Sequence, residues 1–198
     1  ICRESERLSG LIENVLDFAA LERGKREYQM QVGDLVEVTA RAVETFRHRI
    51  DRAGPEIHSS CSNTIPRVLL DEDAVLLALV NLLDNATKYG AATPIDVTLE
   101  QVRDEVQVRV RDHGPGIPPA DLKRVFERFY RTRRKLLARG SGIGLSLVQH
   151  IAQAHGGRAF ASNAPDGGAV VTFSVAIPKH SATSETPPET DAAVEAGW

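Results

Sequence analysis

Residues 71–90 read DEDAVLLALVNLLDNATKYG, and this pattern predicts one helix with two unlike faces. At about 100° per residue, Asn81, Asn85 and Lys88 fall on one side of the helix and most of the apolar residues fall on the other. Asp71 is a suitable N-cap, and Gly90 is a natural residue just past the end. The stretch therefore has defined ends, a packing face and a polar face.

The polar face of this helix carries two amides one turn apart, whereas a face that serves solubility usually carries Glu, Lys and Arg. An Asn side chain offers a neutral oxygen that suits a hard cation, and Lys88 can meet a phosphate. A solvated surface is the alternative, because N-x-x-x-N is a common spacing. The helix alone leaves both interpretations open.

Length and composition narrow the class of protein. The 198 residues are enough for one domain plus an appendage, at the ~100–200 residues typical of a domain. A net charge of −3 gives no basic footprint for nucleic acid, and no apolar run approaches the ~20 residues of a membrane span. The two cysteines lack CxxC or His-rich spacing, so neither a disulfide framework nor a zinc site is indicated. We expect a soluble, cytoplasmic protein without nucleic-acid or membrane contact.

The two ends of the chain differ from its middle. Residues 3–23 place Leu, Ile, Val and Phe on one helical stripe, which predicts a helix that pairs with another in a hairpin or, alternatively, folds back on the domain. No initiator Met precedes this helix, so we expect the chain to be a piece of a larger protein. From Pro178 onward the sequence is rich in Thr, Glu and Pro without apolar periodicity, which predicts disorder.

Between these ends the pattern predicts helices and strands in alternation. Periodicities near 3.6 residues indicate helices at 34–52, 71–90, 119–125 and 141–155. Alternation or short apolar runs indicate strands at 27–32, 56–60, 67–70, 95–99, 106–110, 158–162 and 169–177. Because the elements come in antiparallel groups, the expected fold class is α+β, a two-layer sandwich with the sheet on one side and helices on the other.

Three further stretches have the composition of binding loops. Residues 112–118, DHGPGIP, follow a strand, and alternate glycines there let backbone approach a flat ligand beside the Asp112 carboxylate. An ordinary turn is the alternative for this stretch taken alone. Residues 140–145, GSGIGL, open a helix and form an anion nest of free N–H groups. This run is neither a dinucleotide fingerprint nor a Walker loop, because the spacing is G-x-G-x-G and no G-K-[ST] follows.

The third stretch is FERFYR at 126–131, which leads into a basic run. Phe126 and Phe129 are expected to be packing anchors. Each basic residue after them is typical of a solvated helix end, but a mobile basic segment between two phosphate-binding candidates also suits a lid.

The order N-x-x-x-N-x-x-K-Y, D-x-G-x-G-I-P, F-E-R-F-Y-R and G-x-G-x-G-L resembles the catalytic ATP-binding domain of sensor histidine kinases. The resemblance implies a Bergerat-type ATP-binding sandwich, shared with gyrase-type ATPases, at about residues 27–178. It also implies that residues 1–25 are the second helix of a dimerisation and phosphoacceptor hairpin. The disorder that composition predicts then covers the tail at residues 179–198.

By position, the resemblance assigns ATP and Mg²⁺ as cofactors. Asn85 would be the metal ligand, Asn81, Lys88 and Arg131 would serve catalysis, and Asp112 would receive the adenine amino group. The residues assigned to ATP are Asn81, Asn85, Lys88, Tyr89, Asp112, Gly114, Gly116, Ile117, Tyr130, Arg131, Gly140, Ser141, Gly142, Ile143, Gly144 and Leu145.

The sequence departs from the family at the lid and at the acceptor. Arg139 stands where another glycine is frequent, and none of the six histidines lies in a phosphoacceptor motif, so structural or surface roles are expected for them. The expected function is transfer of the ATP γ-phosphoryl to a histidine upstream. The implied partners are that acceptor helix, a second copy of the full-length protein and a response regulator receiver domain. A gyrase-type ATPase and a non-catalytic nucleotide- or partner-binding module are the alternatives.

Overall fold

The computed structural model describes residues 27–50, 54–62, 64–90, 93–131 and 142–178. The helix expected in 1–25 and the tail expected in 179–198 lie outside these residues. So do the basic run after Arg131 and the first two residues of the glycine run, Gly140 and Ser141.

Helices α1 (Leu35–Arg49), α2 (Glu72–Tyr89) and α3 (Gly144–Ala154) form one layer of the fold. Helix α2 has the ends that its sequence predicts. The side chain of Asp71 accepts a hydrogen bond from the Ala74 N–H at 2.9 Å, and the Gly90 N–H closes the last turn on the Ala86 carbonyl at 2.7 Å. Because both ends are fixed by local contacts, the prediction for this helix is confirmed to within one residue.

Seven strands form the described sheets. A two-stranded sheet pairs β1 with β3, and a five-stranded sheet has the order β2-β4-β5-β7-β6. The strands are β1 (Gln31–Gly33), β2 (Ile57–Ser62), β3 (Val68–Leu70), β4 (Ile95–Val102), β5 (Glu105–Asp112), β6 (Ala159–Asn163) and β7 (Ala169–Ala176).

One strand pair differs from the antiparallel grouping that the sequence indicates. Strand β2 runs parallel to β4, with Ile57 opposite Ile95, whereas the other pairs are antiparallel. The segment between β2 and β4 contains β3 and α2, so the chain can cross over and return in the same direction. As a result, β2 and β3 belong to different sheets although they are close in sequence.

The core lies between the helix layer and one face of the five-stranded sheet. Helix α2 contributes Ala74, Leu79 and Leu83, and the sheet contributes Val108 and Phe173, all of them buried. Side chains alternate along β4 between buried and partly exposed, as the alternation of apolar and polar residues at 95–99 predicts. The predicted two-layer α+β sandwich is confirmed.

Two helical predictions change in detail. Helix α3 begins at Gly144 rather than at 141, because Gly142 has a φ of +73° and cannot lie in a right-handed helix. The short helix expected at 119–125 is two 3₁₀ turns, Pro119–Asp121 and Arg124–Phe126. Within the described ranges, no helix combines the length and apolar character needed to cross a bilayer.

Candidate functional site

The polar face of α2 contacts the first turn of α3. The Asn81 side chain is only 8% exposed, and its Nδ2 donates to the Leu77 carbonyl at 2.9 Å. A Cβ placed on Gly144 would lie 2.8 Å from Oδ1 of Asn81 and 3.7 Å from Nδ2 of Asn85. Only a glycine fits without displacement, so the start of α3 lies directly against both amides.

The other end of α2 contacts the loop after β5. A Cβ on Gly114 would lie 2.7 Å from the Tyr89 carbonyl oxygen and 2.8 Å from Cα of Gly90. A Cβ on Gly90 would in turn lie 2.9 Å from Cβ of Asp112. The end of α2 and the D-x-G-x-G loop are therefore in direct backbone contact. This contact lies about two helical turns from Asn81.

The Asp112 carboxylate is held by two backbone donors. The side chain is 6% exposed, and its Oδ1 accepts from Gly114 N at 2.9 Å and from Ala169 N at 3.2 Å. Among the described residues, no hydrogen bond goes to Oδ2. The carboxylate is thus held in place through Oδ1.

The turn between β6 and β7 supplies groups that the sequence interpretation missed. The Asn163 amide accepts from Ile117 N at 2.8 Å and donates to Ile117 O at 2.7 Å. A Cβ on Gly168 would overlap the Asp112 carbonyl oxygen at 1.8 Å. The turn-forming sequence after Asn163 signals a change of direction, but nothing in it shows that the amide reaches a loop 46 residues away.

The FERFYR stretch contacts the glycine run through its backbone. Phe126 is 7% exposed, as expected for a packing anchor, but Phe129 is 65% exposed, so the prediction for Phe129 is wrong. Phe129 has a φ of +59°, and its N–H donates to the Gly142 carbonyl at 3.0 Å. The left-handed backbone that allows this contact leaves the Phe129 ring outside the core.

Two predicted ATP contacts are occupied by carboxylates. Lys88 forms an i,i+4 ion pair with Asp84, a residue that the sequence interpretation did not select. The Tyr130 hydroxyl donates to Asp121 at 2.6 Å, and the Arg124 guanidinium stacks 4.2 Å from the ring centroid of Tyr130. The hydrogen bond to Asp121 raises the pKa of Tyr130. Both side chains are therefore paired with neighbouring residues of the protein.

The structure describes most of the remaining predicted positions but not two of them. Tyr89, Arg131, Gly142 and Leu145 are half-buried, and Ile117 and Ile143 are buried. Gly140 and Ser141 lie outside the described residues, so their placement in the site stays a prediction.

Histidines near the site have structural contacts. His113, inside the D-x-G-x-G loop, pairs with Asp96 at 2.7 Å, and His58 approaches the same carboxylate at 3.3 Å. Burial opposes the ionisation of Asp96, but the hydrogen bonds from His113 and His58 outweigh it and lower the pKa of this carboxyl. The cluster ties the outer side of the loop to the sheet.

The chain matches a family described as histidine kinase-, DNA gyrase B-, and HSP90-like ATPase, over residues 70–179. The signal transduction histidine-protein kinase AfsQ2 of Streptomyces coelicolor is 32% identical to it over 174 residues, which cover 87% of this chain and 31% of that protein. The chain thus spans about a third of this curated relative.

Two solved structures are similar to the chain. Full-length ShkA in complex with AMPPNP has a TM-score of 0.76 and 27% identity, over 89% of this chain and 37% of that one. The mycobacterial sensor histidine kinase MprB has a TM-score of 0.64 and 30% identity, over 75% of this chain and 99% of that one.

Proposed function

Because the matched region covers more than half of its length, the chain belongs to the histidine kinase-, DNA gyrase B- and HSP90-like ATPase family, and we propose that it is the ATP-binding catalytic part of a sensor histidine kinase. In this proposal it binds Mg·ATP and transfers the γ-phosphoryl to a histidine of an upstream helical hairpin in the full-length protein. The histidine nitrogen attacks the γ-phosphorus, the bond to the bridging oxygen breaks, and ADP leaves.

The observation that carries this proposal is that helix α2, which carries the two amides, contacts two other motifs, the glycine run and the D-x-G-x-G loop. The start of α3 lies against Asn81 and Asn85, and the D-x-G-x-G loop lies against the end of α2 at Tyr89. Free N–H groups and the dipole at the start of α3 favour phosphate. Tyr89 lies eight residue steps after Asn81, or about 12 Å along the helix, a separation that suits a phosphate subsite and a base subsite of one nucleotide.

The base subsite is built for a ligand with an exocyclic amine. Oδ1 of Asp112 is held by Gly114 and Ala169, so Oδ2 would be the atom that accepts a hydrogen bond from the ligand. A carboxylate accepts hydrogen bonds and donates none when ionised, so it favours the adenine amino group over the guanine carbonyl.

The residues present fit a magnesium ion. Mg²⁺ in nucleotide sites is typically held by one or two protein oxygens together with phosphate oxygens and water. Asn85 is half-buried on the face that α3 contacts and offers a neutral amide oxygen. In the described ranges no group of three or more His, Cys, Asp or Glu side chains is arranged to hold a metal ion. When bound, the metal would neutralise charge on the β- and γ-phosphates.

The protein groups contribute positioning rather than base catalysis. Asn81 is fixed by its hydrogen bond to Leu77, and an amide is no useful base at neutral pH, so an attacking water is not deprotonated there. Lys88 can exchange its exposed partner Asp84 for a phosphate oxygen, because a surface ion pair of this kind contributes at most about 1 kcal/mol. Arg131 precedes the basic run of the sequence and would add positive charge beside the phosphates.

The partners in this proposal are the upstream acceptor helix, a second copy of the full-length protein and a response regulator receiver domain. A cytoplasmic location is part of the same proposal, since ATP and a receiver domain would both be met there.

Titration with Mg·ATP followed by transfer to a separately supplied acceptor hairpin tests the proposal. We expect Mg²⁺-dependent binding, no acid-labile label on this chain alone, and label on the hairpin when it is added. Binding without transfer would favour a non-catalytic module. Steady hydrolysis of several ATP per second without an acceptor would favour a gyrase-type ATPase instead.

A further inference from the structure

We infer that Asn163 is a positioning residue for base recognition, which fixes the loop that carries Asp112 and so sets the discrimination between adenine and guanine. This inference rests on the proposed function of the site. Asn163 lies at the end of β6, outside the four motifs from which the site was predicted.

Both polar atoms of the Asn163 amide contact a single residue of the loop. Oδ1 accepts from Ile117 N at 2.8 Å, and Nδ2 donates to Ile117 O at 2.7 Å. The side chain therefore pairs with Ile117 as a strand neighbour does, with one donor and one acceptor. A carboxylate or a hydroxyl cannot make both bonds with the same geometry.

The D-x-G-x-G loop packs closely against the Asn163 side chain. Gly116 has a φ of +71°, and a Cβ there would lie 2.8 Å from Oδ1 of Asn163. Ile117 itself is 7% exposed, so the loop is anchored by its apolar side chain and by the amide together. A loop held in this way has one position relative to β6.

The β6–β7 hairpin holds both ends of the loop. Asn163 is paired with Ala169 across the two strands. Asn163 binds the far end of the loop at Ile117, and the Ala169 N–H binds the near end at Oδ1 of Asp112. One pair of facing residues thus fixes the distance between the carboxylate and the end of its own loop.

This arrangement connects Asn163 to selectivity. Since Oδ1 of Asp112 is taken by two N–H groups, the direction of Oδ2 depends on the position of the loop between Gly114 and Ile117. When the Ile117 end is released, the loop can move and the carboxylate can turn. A turned carboxylate accepts poorly from an adenine amine and rejects guanine less well.

The test compares Asn163→Ala and Asn163→Asp with wild type in the full 198-residue chain. Gln101→Ala is the matched control, because its Nε2 also donates to a turn carbonyl, that of Arg103, at 3.3 Å, but at the β4–β5 turn. Dissociation constants for ATP, ADP and GTP and the thermal midpoint are measured for each protein. Asn163→Asp keeps the acceptor for Ile117 N but sets a carboxylate against Ile117 O.

We expect Asn163→Ala to raise the dissociation constants of ATP and ADP by the same factor, about 10-fold for two lost hydrogen bonds. The ATP-over-GTP preference should become smaller. Asn163→Asp should also reduce the ATP-over-GTP preference, whereas Gln101→Ala should leave this preference unchanged. A lower thermal midpoint with an unchanged preference in both Asn163 variants would overturn the inference and leave the proposed function standing. Failure of the wild-type chain to bind ATP would overturn both. If Asn163→Ala does not fold, the ratio of the GTP and ATP dissociation constants of Asn163→Asp tests the inference in the same way.

Discussion

The contact between α3 and the two amides of α2 makes Gly144→Ala the most informative single change. The new Cβ would lie 2.8 Å from Oδ1 of Asn81, whereas ordinary contact begins at 3.4 Å, so the two groups must separate by 0.6 Å. Asn81 has little freedom to yield, because it is buried and its Nδ2 is bonded to Leu77. The first turn of α3 must therefore withdraw from the amides.

This withdrawal should affect binding much more than folding. Alanine is favoured over glycine in helices by about 1 kcal/mol, which offsets part of the steric cost. Displacing positioned groups by about 1 Å can cost roughly 100-fold, so we expect Mg·ATP affinity to fall by about 10-fold or more, at least 1.4 kcal/mol. The change in unfolding free energy should stay within about 1 kcal/mol.

Calorimetric titration with Mg·ATP and urea unfolding measure the two effects separately. Gly33→Ala is the control, since its Cβ would also be tight, at 3.1 Å from a Leu70 side-chain carbon, but in the two-stranded sheet away from the site. Equal ATP affinity in Gly144→Ala and wild type would refute the assignment of the α3 N-terminus to the nucleotide site.

Three other outcomes follow from the site and the core. Asn85→Ala should weaken ATP binding strongly in the presence of Mg²⁺ and little in its absence. An equal loss of affinity with and without the ion, in paired titrations, would contradict the role of Asn85 as a metal ligand. Asp112→Asn should reduce the ATP-over-GTP preference measured by competition, with a cost of about 1–3 kcal/mol for ATP, and an unchanged ratio would leave Asp112 as a turn former. Burial lowers the pKa of His155, whose ordinary value is 6.5, so the unfolded chain takes up a proton that the folded chain does not. Stability should therefore decrease as pH falls below about 6.5, by up to about 1.4 kcal/mol per pH unit. Between pH 7.5 and 5.5 the unfolding free energy measured in urea should change less with pH in His155→Gln than in the exposed control His48→Gln. The same pH dependence in both variants would show that His155 is not the cause.

Much of the helix layer could be predicted from sequence because its signals are local. Asp71 and Gly90 mark the ends of α2 by capping chemistry, and the 3.6-residue period identifies its buried face. The same holds for the β4–β5 hairpin, where Arg103 lies between the two predicted strands and has a φ of +56°. In each case the residues that decide the element lie within a few positions of it.

Predictions failed where the decisive contact is distant in sequence. Phe129 is apolar and was expected in the core, but its N–H pairs with the Gly142 carbonyl, and the required backbone turns the ring to solvent. Asn163 carried no usable signal, because its partner Ile117 lies 46 residues away. Propensity and periodicity contain no information about such partners.

The sequence by itself determined the family resemblance and the fold class, and it predicts which groups suit phosphate, metal and base. Each of these follows from residue types at short spacing, such as the two amides one turn apart on α2. Only the tertiary structure decided that β2 joins β4 in parallel, that Gly144 is the residue in contact with Asn81, and that Asp112 is held through Oδ1. These features depend on which distant segments the packed core brings within hydrogen-bond distance, and burial of the whole chain fixes that choice.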